Sequence, residues 1–235
     1  MNHKKITAIV LAGGKGNRMN SKVRKQYLKL QDKPILFYAL DAFEKSCVDE
    51  IILVVPQGEE EYCKKTIVDF YGLKKVRGII PGGKERYDSV YQGLKAIKKT
   101  DIVMIHDGAR PFLSSQLIDK AAQKTIECKA CVVGVKAKDT IKIVNEKNCV
   151  IDTPDRNKLW QVQTPQSFSF HEICKAYEYV LNHQVKNITD DAMVWETCCQ
   201  EPVVMLEGSY NNIKITTKED MIFGEAILNY QNCMK

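Results

Sequence analysis

The segment Leu11-Ala12-Gly13-Gly14-Lys15-Gly16-Asn17-Arg18-Met19 sets three glycines and two cations directly after an apolar run. Glycine lets backbone N–H groups approach a ligand closely and the cations supply charge, so the pattern suits phosphate oxygens. Neither common phosphate fingerprint fits. A dinucleotide loop starting at Gly14 needs glycine where Met19 stands, and a P-loop needs Lys-Ser or Lys-Thr after Gly16, where Asn17 stands. With Lys25 following, the inventory suits a triphosphate better than a dinucleotide; a turn with solvated lysines is the plainer alternative.

Three further segments carry chemistry. In His106-Asp107-Gly108-Ala109-Arg110-Pro111, Asp107 can hold Mg²⁺ together with phosphate oxygens, or cap the next helix and pair with Arg110. His106 has no partner nucleophile in the sequence and reads as structural. Pro81-Gly82-Gly83, followed by Arg86, Ser89 and Val90, offers backbone groups and a hydroxyl that can read a base edge. In Asn211-Asn212-Ile213-Lys214-Ile215-Thr216 an unpaired ammonium inside an apolar strand would be costly, so Lys214 either projects toward an anion or guards an edge strand.

Such groups need a frame. Near-continuous apolar runs at 6–11, 51–55, 77–80, 102–105 and 131–135 predict strands buried on both faces. Between them, apolar positions spaced by three and four predict helices over 34–46, 59–71, 86–98 and 115–128. Repeated strand-helix-strand units imply an α/β fold with a mostly parallel sheet. At 139–152 the rhythm changes to alternation around the polar turn Asn145-Glu146-Lys147-Asn148, which predicts a hairpin, within a protruding arm spanning 137–156. A helix over 171–182, a shorter one from Thr189, strands at 203–206 and 212–215 and a closing helix from Glu219 complete the pattern. With no internal repeat and no linker rich in Pro, Gly or Ser, 1–235 reads as one domain.

Composition narrows the classes. Of 235 residues 44% are hydrophobic and 27% charged, which excludes wholesale disorder, and no apolar stretch is long enough to span a bilayer. The net charge of +6 is concentrated in the basic residues Lys15, Arg18, Lys22, Arg24 and Lys25. With 8% aromatics and none in that window, a nucleic-acid partner is not expected. Nine cysteines, an odd number scattered through core-like elements, fit a reducing cytoplasm better than a disulfide framework. Cys128 and Cys131 form a C-x-x-C with no second pair to complete a zinc site. The basic start before residues 6–12 mimics a signal peptide until Gly13 and Gly14 replace a cleavage pattern, and it reads as a first strand.

Taken in order, the glycine loop with Lys25-Gln26-Tyr27-Leu28, the Gly82-Gly83 segment, His106-Asp107 with Ala109-Arg110-Pro111, Asp155-Arg156 with Leu159-Trp160 and Gln163-Thr164-Pro165-Gln166, Thr189-Asp190-Asp191-Ala192, and Asn212-Ile213-Lys214-Ile215-Thr216 resemble the 2-C-methyl-D-erythritol 4-phosphate cytidylyltransferases of the non-mevalonate isoprenoid pathway. The likeness spans essentially the whole chain. It implies a Rossmann-like nucleotidyltransferase three-layer sandwich with an inserted β-hairpin dimerisation arm, and a Mg²⁺-dependent cytoplasmic homodimer. The implied reaction transfers a cytidylyl group from CTP to a sugar-alcohol phosphate. By the same resemblance Arg18, Lys25 and Lys214 are catalytic, and Ala12, Gly13, Gly14, Lys15, Gly16, Gly82, Gly83, Arg86, Ser89 and Ala109 bind CTP. Asp107 holds the metal, while Arg110, Thr140, Arg156 and Thr189 bind the acceptor, some of them across the dimer interface. A guanidinium suits two-pronged phosphate recognition, which favours Arg156 for the acceptor phosphate; a surface ion pair with Asp152 or Asp155 is the plainer alternative.

The chain departs from that pattern at Asn20, where glycine is usual, at Arg24, where proline is usual, and at Gly108, where alanine is usual. Every charged role stays filled. Two readings compete: a ribitol 5-phosphate cytidylyltransferase, disfavoured by the Asp155-Arg156 and Thr189 segments, and a silent nucleotide-binding protein on the same fold.

Overall fold

The computed structural model describes residues 4–14 and 24–233. The strands are β1 (Ile6–Leu11), β2 (Lys29–Leu30), β3 (Lys33–Pro34), β4 (Glu50–Val55), β5 (Val76–Pro81), β6 (Ile102–Asp107), β7 (Ala130–Lys136), β8 (Ile143–Val144), β9 (Val150–Asp152), β10 (Trp160–Ser169) and β11 (Val204–Glu207). The α-helices are α1 (Ile35–Glu44), α2 (Glu60–Cys63), α3 (Arg86–Ala96), α4 (Ser115–Cys128), α5 (Phe170–Asn182), α6 (Asp191–Cys198) and α7 (Lys218–Cys233).

A seven-stranded sheet runs β11-β7-β10-β6-β1-β4-β5, and within it only β10 is antiparallel to its neighbours. The apolar runs are continuous because alternate residues serve opposite cores. Ala8, Val10, Leu53 and Met104 pack with Leu36, Phe43 and Ile118 of α1 and α4. Ile9, Val54, Val103 and Ile105 pack with Val90, Ile173, Tyr177 and Trp195 of α3, α5 and α6. A smaller cluster of Leu30, Phe112, Ile215 and Leu228 seats α7. These layers make the three-layer α/β arrangement predicted above.

The hairpin forms where the alternation places it. Ile143–Val144 pairs antiparallel with Val150–Asp152, Asn148 takes a left-handed φ of 60° in the turn, and residues 138–153 are all exposed.

Two expectations need correction. Residues 212–215 form no strand; side chains fasten the segment instead, Asn212 Nδ2 donating to Gln163 Oε1 at 3.2 Å and to the Thr164 carbonyl at 3.0 Å. The apolar alternation survives because Ile213 and Ile215 still pack under α7. Conversely, β10 is a central strand that the sequence hides, because Pro165 and a run of polar residues argue against a buried strand. Pro165 falls where pairing with β7 is broken, between Val162 and Gln166, so no ladder bond is lost to it. Its two buried glutamines are accommodated because they have partners: Gln163 donates to the Ser209 carbonyl at 2.8 Å, and Gln166 donates to Asp190 at 3.0 Å while accepting from the Ala192 amide at 2.8 Å.

Gly108 has a packing reason. A Cβ there would lie 2.8 Å from Leu36 Cδ1 and 3.0 Å from the Leu11 carbonyl oxygen, which already accepts the Gly108 amide at 2.9 Å. Gly108→Ala is therefore expected to lower stability by roughly 1–3 kcal/mol, read as an earlier urea midpoint at unchanged slope.

Candidate active site

The carboxyl ends of parallel strands face one cavity of about 500 Å³. Ligands of open α/β sheets bind at such ends, and the volume is that of a small-molecule site. From β1 the chain passes into Ala12, whose amide donates to the Val54 carbonyl at 2.7 Å, and then into Gly13 and Gly14 on the cavity wall. A Cβ on Gly14 would meet nothing within 4 Å among the described residues, so packing does not demand glycine there. On the opposite side Gly82 donates to the Val55 carbonyl at 2.7 Å. The Gly83 amide donates to Ser89 Oγ at 3.0 Å, and that hydroxyl donates to the Glu85 carbonyl at 3.1 Å. Here glycine is required: a Cβ on Gly83 would fall 2.3 Å from Asp88 Cβ. Glu85 and Asp88 form a capping box at the start of α3, which fixes Arg86 and Ser89 on its first turn.

The cavity holds a row of alternating charges. Asp107, the last residue of β6, accepts from Lys214 Nζ at 2.7 Å and from Arg86 Nε at 3.2 Å. Burial pushes its carboxyl pKa up, but the Arg86 and Lys214 cations outweigh burial and hold it well below the usual carboxylate range. Asp107 is thus ionised. It does not cap α4; Ser114 does, accepting from the Leu117 amide at 3.2 Å. Lys25 lies on the cavity wall, brought there by the 3-10 turn Lys25–Tyr27.

His106 supports this floor from below. Its Nδ1 lies 2.9 Å from Thr164 Oγ1 and its Nε2 lies 3.2 Å from the Arg110 carbonyl; Thr164 Oγ1 also accepts the Asp107 amide at 3.1 Å. These bonds assign a neutral ring with the proton on Nε2. Burial lowers the His106 pKa to about 4, while Asp107 beside it acts in the other direction. Between about 6.5 and about 4 the unfolded chain binds a proton that the native chain refuses, so stability is lost as pH falls through that window. The loss should reach about 3 kcal/mol. Urea midpoints at pH 7, 5.5 and 4.5 are expected to fall in the native chain and to fall less in His106→Gln; equal slopes would remove His106 as the cause.

The residues expected to bind one nucleotide largely converge: Ala12, Gly13, Gly14, Lys25, Gly83, Arg86, Ser89, Asp107, Ala109 and Lys214 line the cavity, with Gly82 just behind it. Lys15, Gly16 and Arg18 lie outside the described residues. The acceptor set does not converge within one chain. Arg110 turns away to donate to the Asn212 carbonyl at 2.8 Å. Thr140 and Arg156 are exposed, and Thr189 is exposed with its hydroxyl 3.8 Å from Met193 Sδ. Arg156 bonds the Lys138 carbonyl at 2.9 Å and makes no ion pair with Asp152 or Asp155. Lys84, Glu85 and Gln26 also line the cavity and were not anticipated; their neighbours Gly83, Arg86 and Lys25 were the signal.

A glycine-walled, cation-bearing cavity at the carboxyl ends of this mostly parallel sheet is a nucleotide-type site of an α/β enzyme, and the family places it among the nucleotidyltransferases. Relatives agree in sequence and in structure. The chain is 49% identical over 224 residues to the 2-C-methyl-D-erythritol 4-phosphate cytidylyltransferase of Lachnoclostridium phytofermentans, covering 95% of this chain and 96% of that one. It is 49% identical over 226 residues to the enzyme of that name from Clostridium botulinum, covering 95% and 97%. Among solved structures, the 4-diphosphocytidyl-2C-methyl-D-erythritol synthase of Anaerococcus prevotii superposes with a TM-score of 0.86 at 36% identity, covering 96% of each chain. The Francisella tularensis 2-C-methyl-D-erythritol 4-phosphate cytidylyltransferase gives 0.77 at 30%, covering 94% and 99%. Residues 6–230 match the family IspD, 2-C-methyl-D-erythritol 4-phosphate cytidylyltransferase, and the chain belongs to it.

Proposed function

We propose that this chain transfers the cytidylyl group of CTP to 2-C-methyl-D-erythritol 4-phosphate, forming 4-diphosphocytidyl-2-C-methyl-D-erythritol and pyrophosphate. Family membership supports the reaction, and the Lys214–Asp107–Arg86 row in a glycine-walled cavity is the observation that carries it. An oxygen of the acceptor phosphate, already ionised, attacks the α-phosphorus; the bond from that phosphorus to the bridging oxygen breaks, and pyrophosphate departs with the electron pair. No general base is needed. What the reaction requires is alignment of two anions and neutralisation of charge around the α-phosphorus. Lys25 and Lys214 supply positive charge from the cavity wall, Gly13 and Gly14 offer backbone near the phosphates, and Gly83 and Ser89, with Gly82 next to them in the chain, are placed to read the base. Arg18 and Lys15 complete the phosphate contacts in this reading.

The donor set fits Mg²⁺. Among the described residues no cluster of three His, Cys, Asp or Glu could cage a metal. Mg²⁺ takes one or two carboxylates and fills its remaining positions with phosphate oxygens and water. Asp107 is an ionised carboxylate at the cavity, and each of its oxygens keeps a lone pair beyond its cation partner. Bound there, Mg²⁺ would neutralise phosphate charge as the transfer proceeds.

The same reading makes the arm a dimer contact. Ile141, Ile143, Val144, Val150 and Ile151 are exposed along it, and Thr140 and Arg156 stand away from the cavity of their own chain, as expected if they serve a partner's site. Sedimentation should give a dimer, and Ile143→Glu with Ile151→Glu should give a monomer. Cytoplasmic action suits nine cysteines that are all free and described helices of which none is long and apolar enough to cross a membrane. The deciding assay is pyrophosphate release from CTP with methylerythritol phosphate and with ribitol 5-phosphate side by side. Turnover with the first is expected; preference for the second would reassign the acceptor, and turnover with neither would overturn the reading.

A further inference from the structure

Asp191 takes no part in the transfer chemistry above, yet it has no exposed surface. Its Oδ1 accepts from Arg86 Nη1 at 3.0 Å and from the Tyr177 hydroxyl at 2.5 Å, and its Oδ2 accepts from Arg86 Nη2 at 2.8 Å. Tyr177 is itself buried on α5. The backbone at this point is held independently. Asp190 caps α6 by accepting from the Met193 amide at 3.0 Å, and Gln166 of β10 bonds both Asp190 and the Ala192 amide. Asp191 is therefore a fixed anchor for a guanidinium whose remaining contact, from Nε, is Asp107.

We propose that Asp191 is a positioning residue for the transfer reaction, clamping both terminal nitrogens of Arg86 so that Arg86 meets Asp107 through Nε alone. A guanidinium and a carboxylate prefer a two-pronged pairing. Without Asp191, the Arg86 fork is free to turn on Asp107, take both of its oxygens and draw it off Lys214. With Asp191 in place, Asp107 Oδ2 stays with Lys214, whose ammonium is thereby held at the cavity wall. Tyr177 supports the clamp from behind by bonding the Asp191 oxygen that faces Arg86 Nη1. The inference rests on reading this cavity as the CTP site.

The test uses Asp191→Asn and Tyr177→Phe, each alone and each combined with Arg86→Gln. Measured for each are kcat and KM for CTP by pyrophosphate release, with circular dichroism and the melting temperature as controls. Asp191→Asn is expected to lower kcat about ten- to a hundredfold with little change in KM for CTP, because a charge-assisted clamp is lost while the cavity remains. Tyr177→Phe should act in the same direction by about two- to fivefold, since it removes one donor and keeps the ring. In the Arg86→Gln background either substitution should cost less than about twofold more, there being no guanidinium left to hold. Full additive losses in that background, or a lowered melting temperature with kcat intact, would overturn the inference. If Asp191→Asn does not fold, Tyr177→Phe in the two backgrounds decides. Absence of turnover by the wild-type chain would overturn the functional reading and this inference with it, whereas wild-type turnover with additive losses would overturn the inference alone.

Discussion

Asp107→Asn is expected to lower kcat/KM for pyrophosphate release roughly a hundred- to a thousandfold, the scale of losing one preorganised electrostatic group at a phosphoryl centre. The substitution is nearly isosteric, so the effect is one of charge. With its pKa held well below the usual carboxylate range, Asp107 is an anion at every working pH, and asparagine leaves Lys214 and Arg86 without their shared counter-charge. The fold should persist, because the Asp107 amide bonds Thr164 Oγ1 and its carbonyl bonds the Arg110 amide, neither through the side chain. The sign of the binding change is diagnostic. Measured without Mg²⁺, taking a negative charge from an anion site should leave CTP affinity unchanged or raised, read by calorimetry, while turnover with Mg²⁺ collapses. If turnover survives with weaker CTP binding, Asp107 is only an ion-pair partner.

Lys214→Gln should lower kcat about a hundredfold or more while KM for CTP rises less than about tenfold, as for a cation whose charge matters most when negative charge develops at phosphorus. Its neighbours Ile213 and Ile215 are anchored in the apolar cluster under α7, so the segment should stay in place. Lys214→Arg is expected to recover less than about a tenth of wild-type activity, since a planar fork would grip Asp107 in pairs where the ammonium makes a single 2.7 Å contact. A rise in KM alone, with kcat intact, would reduce Lys214 to a binding residue.

Lys214 also shows how legibility divided. A lysine between two isoleucines was conspicuous, and its orientation toward an anion was readable although the strand assigned to it was wrong. The buried parallel strands were legible because both of their faces are apolar, and the hairpin because its alternation and polar turn are local. β10 was not, because its buried glutamines are satisfied by partners distant in the chain, Ser209 for Gln163 and Asp190 for Gln166. The same holds for Asp191: nothing local reveals that the second of two consecutive aspartates holds an arginine 105 positions earlier. Pairwise chemistry across the fold is what a single sequence conceals.

The antiparallel strand at the centre of the sheet also bears on the order in which the chain can fold as it leaves the ribosome. β5, β4, β1 and β6 pair among themselves and all precede residue 108, so that half can assemble early. β7 pairs only with β10 and β11, both synthesised after it, and β10 is also what joins it to β6. Until β10 emerges, β6 and β7 present apolar edges with no strand between them, the state in which nascent sheets are prone to wrong pairing. Joining of the two parts of the sheet and completion of the floor beneath Asp107 are thus one event in synthesis, since Thr164 arrives on the strand that closes the gap, with β11 left to add at the far edge of β7.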